Sequence, residues 1–136
     1  MKRLTETLKH LAPLAPQSVA SATAATSAYV DMSGVSEAAF SIATGVLATG
    51  KTLTVQLLAS DASDGTGAVK VAEQVFTAGS SLTAGLAVIS YKPTAFHGRY
   101  VAVKFQHEAG SAVICGVTAA LRQMEYPANN DWVLQV

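Results

Sequence analysis

Asp61 and Asp64 stand in the stretch LLASDASDGTGAVKV, residues 57–71, between two apolar runs. Carboxylates at that spacing in a Gly-bearing loop raise the question of calcium. The ion takes about six to eight oxygen ligands, usually with several carboxylates on one loop. These two are the only carboxylates here, and no glutamate closes the loop as an EF-hand requires. Asp also bonds its own backbone two residues on, and Gly supplies a positive φ without steric cost. The loop reads as a hairpin bend between alternating strands.

The other reactive side chains are scattered. His10, His97 and His107 have no second His or Cys at ligand spacing. The segment ATGKT, residues 48–52, ends like a phosphate-binding loop but lacks the first glycine of that pattern, so it reads as a turn into a strand. No serine lies in a G-x-S-x-G elbow. Cys115 is alone in the apolar setting AVICGV, where a small buried hydrophobe is expected and no internal disulfide can form. No catalytic, metal-binding or cofactor-binding set emerges, so the expectation is a protein that is not an enzyme.

Elements to position such groups follow from periodicity. Ala38, Phe40 and Ile42 alternate, as do Leu53, Val55 and Leu57 against Thr52, Thr54 and Gln56, which is the period of a strand with one wet face. Val69, Val71 and Val75 are placed on a common face. AGLAVISYK, apolar on both sides, is expected as a central strand. RYVAVKFQHEAGSAVICGVTAAL reads as a hairpin, with Val101, Val103 and Phe105 inward and Val113, Cys115 and Val117 returning. Seven or eight strands with turns about every 8–12 residues indicate an all-β sandwich or barrel.

Composition narrows the role. The 136 residues fit one domain. Charged residues make up only 13%, against about 25% in ordinary soluble domains, which points to a surface covered by a partner. Nine basic and nine acidic residues cancel, so neither nucleic acid nor anionic membrane is an expected partner. No apolar stretch approaches the roughly 20 residues of a membrane helix, and Glu6, Lys9 and His10 interrupt what would be a signal peptide. The chain is expected to be made in a cytoplasm.

The two ends stand apart from the strand rhythm. Leu4, Leu8 and Leu11 recur at helical spacing until Pro13 and Pro16, giving either a frayed terminus or an arm that orders against another subunit. After Pro127 and an Asn-Asn-Asp run, Trp132, Val133 and Leu134 form a short apolar tail. It is read as a last strand on its own sheet or as a segment docking on a neighbour. The chain thus divides into an arm, residues 1–17, a β-sandwich, 18–125, and a tail, 126–136. Leu4, Leu8, Leu11, Trp132, Val133 and Leu134 are the candidate interface residues.

The stretches YVDMSGVSEAAFSIATGVLATGKTLTVQLLASDASDGTGAVKV and RYVAVKFQHEAGSAVICGVTAALRQMEYPA resemble small β-sandwich proteins of tailed-bacteriophage virions. Within that group the layout is most similar to the jelly-roll decoration, or cementing, proteins of phage heads. The resemblance spans about residues 28–128 and rests on strand rhythm and turn placement. It implies an antiparallel jelly-roll sandwich without a cofactor, bound to the major capsid protein on the capsid surface and assembled in the host cytoplasm; with the two ends added, the expected fold is an all-β jelly-roll sandwich with extended N- and C-terminal arms. It also implies a homodimer or homotrimer. The alternative expectation is a receptor- or glycan-binding fibre or spike domain, for which Tyr91, Phe96 and Tyr100 are the available aromatic cluster.

A strand-dominated far-UV circular dichroism spectrum is the expected outcome for the purified chain. A helix-dominated one would overturn the reading.

Overall fold

The computed structural model describes residues 2–79, 85–125 and 127–135. One helical turn, α1 (Leu4–Thr7), precedes nine strands: β1 (Leu8–Val19), β2 (Ala25–Thr26), β3 (Val30–Asp31), β4 (Val35–Thr44), β5 (Thr52–Ser60), β6 (Val69–Thr77), β7 (Gly85–Tyr91), β8 (Tyr100–His107) and β9 (Val113–Gln123). One antiparallel sheet runs β1-β9-β4-β7. The other runs β2-β8-β5-β6, with β3 also pairing β8. Both short strands lie along the same edge of β8, β2 against Lys104 and Phe105 and β3 against Tyr100 and Val101, so they are halves of one broken strand. The pairing is nested: first with last, the broken strand with β8, β4 with β7, and β5 with β6. That is the antiparallel jelly-roll sandwich, eight strands in two sheets.

The alternation read from sequence places the core. Ala38, Phe40 and Ile42 from one sheet meet Leu53, Val55, Leu57, Val101, Val103 and Phe105 from the other, all buried. Val113, Cys115, Val117, Ala119 and Leu121 complete the inner face. The Asp61–Asp64 loop is the hairpin bend between β5 and β6. Asp64 accepts from the Thr66 N–H at 2.9 Å and from its hydroxyl at 2.7 Å, Gly65 and Gly67 take positive φ, and Ser60 donates to the Thr66 carbonyl at 2.7 Å. The Thr66 hydroxyl and N–H hold the Asp64 carboxyl below its ordinary range.

Four expectations from sequence are corrected. Residues 8–17 are not an arm: they belong to β1, the edge strand of the first sheet. Leu11 and Leu14, three apart like a helix, both oppose inward residues of β9, Ala119 and Val117, because a register shift lies between them. A second shift follows before Gln17, and Pro13 and Pro16 are tolerated there because an edge strand has one side without ladder bonds. Gly116 of β9, where a side chain would press on Pro16, makes room for the irregularity. The helical spacing survives only as the single turn α1.

The stretch from Arg99 to Leu121 is not a hairpin. β8 pairs with β5, β9 with β1 and β4, and the turn between them crosses from one sheet to the other. Inward residues alternate identically in both arrangements, so periodicity does not separate them. Strand β7 is an edge, not a centre; Ala87 and Tyr91 are buried, whereas Leu86 and Val88 are exposed on the outer face. Finally, Val69, Val71 and Val75 do not share a buried face. A bulge opposite Leu57 and Leu58 shifts the register, so Ala72, Gln74 and Phe76 oppose the inward Leu57, Val55 and Leu53.

Two buried polar side chains fill gaps in the backbone pairing, and one of them ties the layers together. Ser27 sits at the break between β2 and β3. Its hydroxyl accepts from the Val103 N–H at 3.0 Å and donates to the Ala28 carbonyl at 3.0 Å, doing there what a backbone carbonyl would do. His107, fully buried, accepts at Nδ1 from the Ala109 N–H at 3.2 Å, which leaves Nε2 to donate to the Val19 carbonyl at 2.7 Å. That last bond joins the end of β8 to the end of β1 across the two sheets. Ala28 N–H also donates to the Pro13 carbonyl at 2.9 Å, closing this flank of the sandwich.

Replacing His107 with Leu strands a buried carbonyl and a buried N–H, and chemical denaturation is expected to show a loss of about 2–4 kcal/mol. Ser27→Ala, which orphans one N–H, is expected to lose about 1–2 kcal/mol. Wild-type stability in both would remove these ties from the account of the fold.

Candidate interaction surface

Nothing among the described residues gathers three metal-ligating side chains, and the scattered groups noted above stay scattered. Cys115 is buried with its Sγ near the Val113 carbonyl at 3.6 Å, and burial pushes the thiol up, away from the reactive thiolate. Lys51 sits in the turn before β5, its N–H bonded to the Ala48 carbonyl at 3.0 Å. His97 accepts or donates at Nδ1 with two hydroxyls, Tyr91 at 3.1 Å and Thr94 at 3.2 Å, and so braces its own loop.

That loop, residues 92–99, is held close to the sheet. A Cβ at Gly98 would run into the backbone of Ser60. Arg99 forks onto Asp31, with Nε to Oδ1 at 2.8 Å and Nη2 to Oδ2 at 2.7 Å, and lies 5.3 Å from the centre of the Tyr100 ring. The guanidinium keeps the Asp31 carboxyl below the usual range. The three aromatic residues of the stretch do not form a face. Tyr91 is buried, Arg99 lies over Tyr100, and Phe96 stands alone at 97% exposure.

The termini do come together. Asn130 accepts from the His10 N–H at 2.7 Å and donates through Nδ2 to the carbonyls of Thr5 and Leu8, both at 2.9 Å. Ala128 N–H adds a bond to the Glu6 carbonyl at 2.8 Å. One amide side chain therefore satisfies three backbone groups around the junction of α1 and β1 and fixes the tail there. The tail is not a further strand, so its residues 128–135 add nothing to either sheet.

The six candidate interface residues divide on this scaffold. Leu11 packs against the core and Leu8 is half-buried. Leu4, Val133 and Leu134 are exposed, and Trp132 is 98% exposed. Thr5, His10 and Asn130 share a hollow with Asp131, Trp132 and Val133, so the apolar tail and the α1 turn flank one depression at one end of the sandwich. Asn130 was not singled out from sequence. An amide after a proline reads as a turn residue, and its three partners are more than 100 positions away.

The two outer faces differ in chemistry. The β2-β8-β5-β6 sheet shows solvent Thr52, Thr54, Gln56, Lys70, Glu73 and Lys104, with Glu73 bonded to Gln56 and, at 3.2 Å, to Lys70. The β1-β9-β4-β7 sheet shows Ala39, Ser41, Ala43, Thr118 and Ala120, bordered by Ile114, Leu86 and Val88. The middle of that face carries no charge. Charges enter this sheet toward its ends, with Lys9 on β1 and Glu37 of β4 opposite Arg122 of β9.

No family model matches the chain, and no curated protein matches it. Solved structures do. The chain is similar over its whole length to the PBSX exported protein XepA, with 13% identity and a TM-score of 0.60, and covers 44% of that chain. Over 84% of its length it is similar to a chain of infectious bursal disease virus, Gx strain, with 11% identity and a TM-score of 0.50, covering 31% of that chain. The protein spans less than half the length of either neighbour. At these identities the likeness is one of fold.

Asn130→Ala should release the tail. Hydrogen exchange in residues 5–10 and 128–133 is expected to speed up by about tenfold or more while the strands stay protected. Unchanged exchange would mean that the amide does not hold the two ends together.

Proposed function

We propose that the protein is a non-enzymatic structural component of a phage virion that binds the outside of the head and braces it by bridging major capsid protein subunits. The observation that carries this reading is the apolar end patch. Trp132 and Leu134 stand in solvent on a tail that Asn130 pins to the junction of α1 and β1, and Leu4 of α1 is exposed as well. Isolated exposed apolar residues are ordinary, but an exposed tryptophan and two exposed leucines on segments clasped together have the composition of an interface anchor.

The charge-free middle of the outer face of the β1-β9-β4-β7 sheet supports the same reading, because low-charge surface is what a partner covers at little desolvation cost. So does the company of the fold, which is similar to that of the PBSX exported protein XepA and of a chain of infectious bursal disease virus. The physical task is to oppose sliding between subunits. Apolar area buried at about 25 cal/mol per Å² supplies the gross gain, docking costs offset much of it, and many symmetric copies on one particle restore affinity through avidity.

Trp132→Ala combined with Leu134→Ala is expected to lower occupancy on co-expressed capsids by about tenfold or more, as for a lost hot spot, with an unchanged circular dichroism spectrum. Full occupancy by the double variant would remove the end patch as the contact. Wild-type chain that never co-sediments with capsids would sink the function itself.

A further inference from the structure

Between the two sheets, where residues of β1 and β9 face those of β3, lies a cleft of about 560 Å³. That size falls within the roughly 300–1,000 Å³ of small-molecule sites. The β1–β9 ladder explains how it is lined. Lys9 opposes Leu121 and Leu11 opposes Ala119, both buried, so β1 turns Lys9 and Leu11 toward the inside of the sandwich. Gln123, two residues beyond Leu121, shares that side. Leu11, Leu121 and Val30 supply apolar surface, and Lys9, Gln123, Glu125, Asn129, Tyr29 and Ser33 supply polar groups around it. Gly65 lets the Tyr29 ring lie close against the β5–β6 bend, because a Cβ there would overlap the ring.

A lysine turned inward is uncommon unless it is paired. Among the described residues the Lys9 ammonium and the Glu125 carboxylate form no ion pair, and the side chains of Gln123, Asn129, Tyr29 and Ser33 form no hydrogen bond. Six polar groups without intramolecular partners thus share one cleft. Asp31 lines it as well, already held by Arg99 through bonds of 2.8 and 2.7 Å.

We propose that this cleft binds a neutral oligosaccharide through those six side chains. Charge and hydrogen-bonding capacity select the ligand. An anion would share the cleft with Glu125 and Asp31, and a cation would share it with Lys9. An apolar molecule would bury the polar groups unpaired. A peptide strand would find few backbone partners: Pro13 has no N–H, its carbonyl is taken by the Ala28 N–H at 2.9 Å, and the Ser33 N–H is taken by Asp31 Oδ1 at 2.9 Å. A sugar hydroxyl both donates and accepts. It can accept from Lys9, donate to Glu125 and do either with the two amides and two hydroxyls, while its C–H faces rest on Leu11, Leu121 and Val30. The cleft shares no residue with the hollow at Trp132, so the site stands independently of the capsid role. Nor does it use Tyr91, Phe96 or Tyr100, the aromatic residues that sequence offered for a glycan.

NMR titration of the isotope-labelled full chain with maltotriose, cellotriose and triacetylchitotriose tests this. At least one of the three is expected to shift the amides of residues 9–13, 28–33 and 121–125 with a Kd below about 10 mM. Lys9→Met and Asn129→Ala are each expected to weaken that binding about fivefold or more, with an unchanged circular dichroism spectrum. Trp132→Ala with Leu134→Ala should bind the sugar as the wild type does. Because the ligand is neutral, raising NaCl from about 0.05 to about 0.5 M should leave its affinity within about twofold. No shift with any of the three sugars up to about 50 mM would overturn the proposal. So would sugar binding indifferent to both cleft variants. Tighter binding at the cleft by citrate, lysine amide or a tetra-alanine peptide would also overturn it, and assign the site to an ion or a peptide.

Discussion

A buried backbone N–H or C=O left without a partner costs about 1–3 kcal/mol, and a two-sheet sandwich has four edges along which that cost threatens. The architecture follows from how each edge is managed. Inside the sheets the nested pairing satisfies the strands in register. At the break between β2 and β3 the ladder would fail opposite Val103, and the Ser27 hydroxyl takes over. At the end of β8, His107 bonds Val19 across the layers. At the tail, Asn130 does the equivalent for three backbone groups near α1. Short polar side chains stand in wherever regular pairing stops.

This gives the molecule unlike flanks. On the β1 side, the Ala28–Pro13 bond laces the sheets together, and Tyr29 packs over Gly65 of the β5–β6 bend. On the β6 and β7 side, a groove lined by apolar side chains together with Glu73 and Gln74 lies between the two edges. The faces are unlike too: charged and amide side chains cross the middle of one, and small side chains without charge fill the middle of the other. A sandwich asymmetric in both directions presents distinct places for contact, as the proposed binding role requires.

Periodicity alone located most of the inner face, because Phe40, Ile42, Leu53, Val55, Val101 and Phe105 follow the two-residue period and bury as that period requires. The Asp-Gly bend was legible for a local reason, since Asp64 bonds a neighbour two residues on. The errors have more than one cause. An inserted residue in β6 changes the phase, so Val75 turns outward, and Leu4, Leu8 and Leu11 are spaced as in a helix although only the turn α1 forms and Leu8 and Leu11 lie in β1. Whether a strand is central or an edge, or whether a turn stays in one sheet, depends on partners far along the chain. GLAVISY therefore looks central, and Glu108 to Ala112 looks like a hairpin loop. Of the end patch, the apolar residues were visible and the Asn130 clasp that assembles them was not.

The nested order also governs how the chain acquires its shape. The β1-β9-β4-β7 sheet lacks the strand between β1 and β4 until residues 113–123 have been made, so the sheet closes only after β9 has been synthesised. Contacts of such long sequence separation place the roll among folds that form in milliseconds to seconds. Synthesis at about 5–20 residues per second therefore leaves the inward side chains of β4 and β5 waiting for several seconds with their final neighbours still unmade.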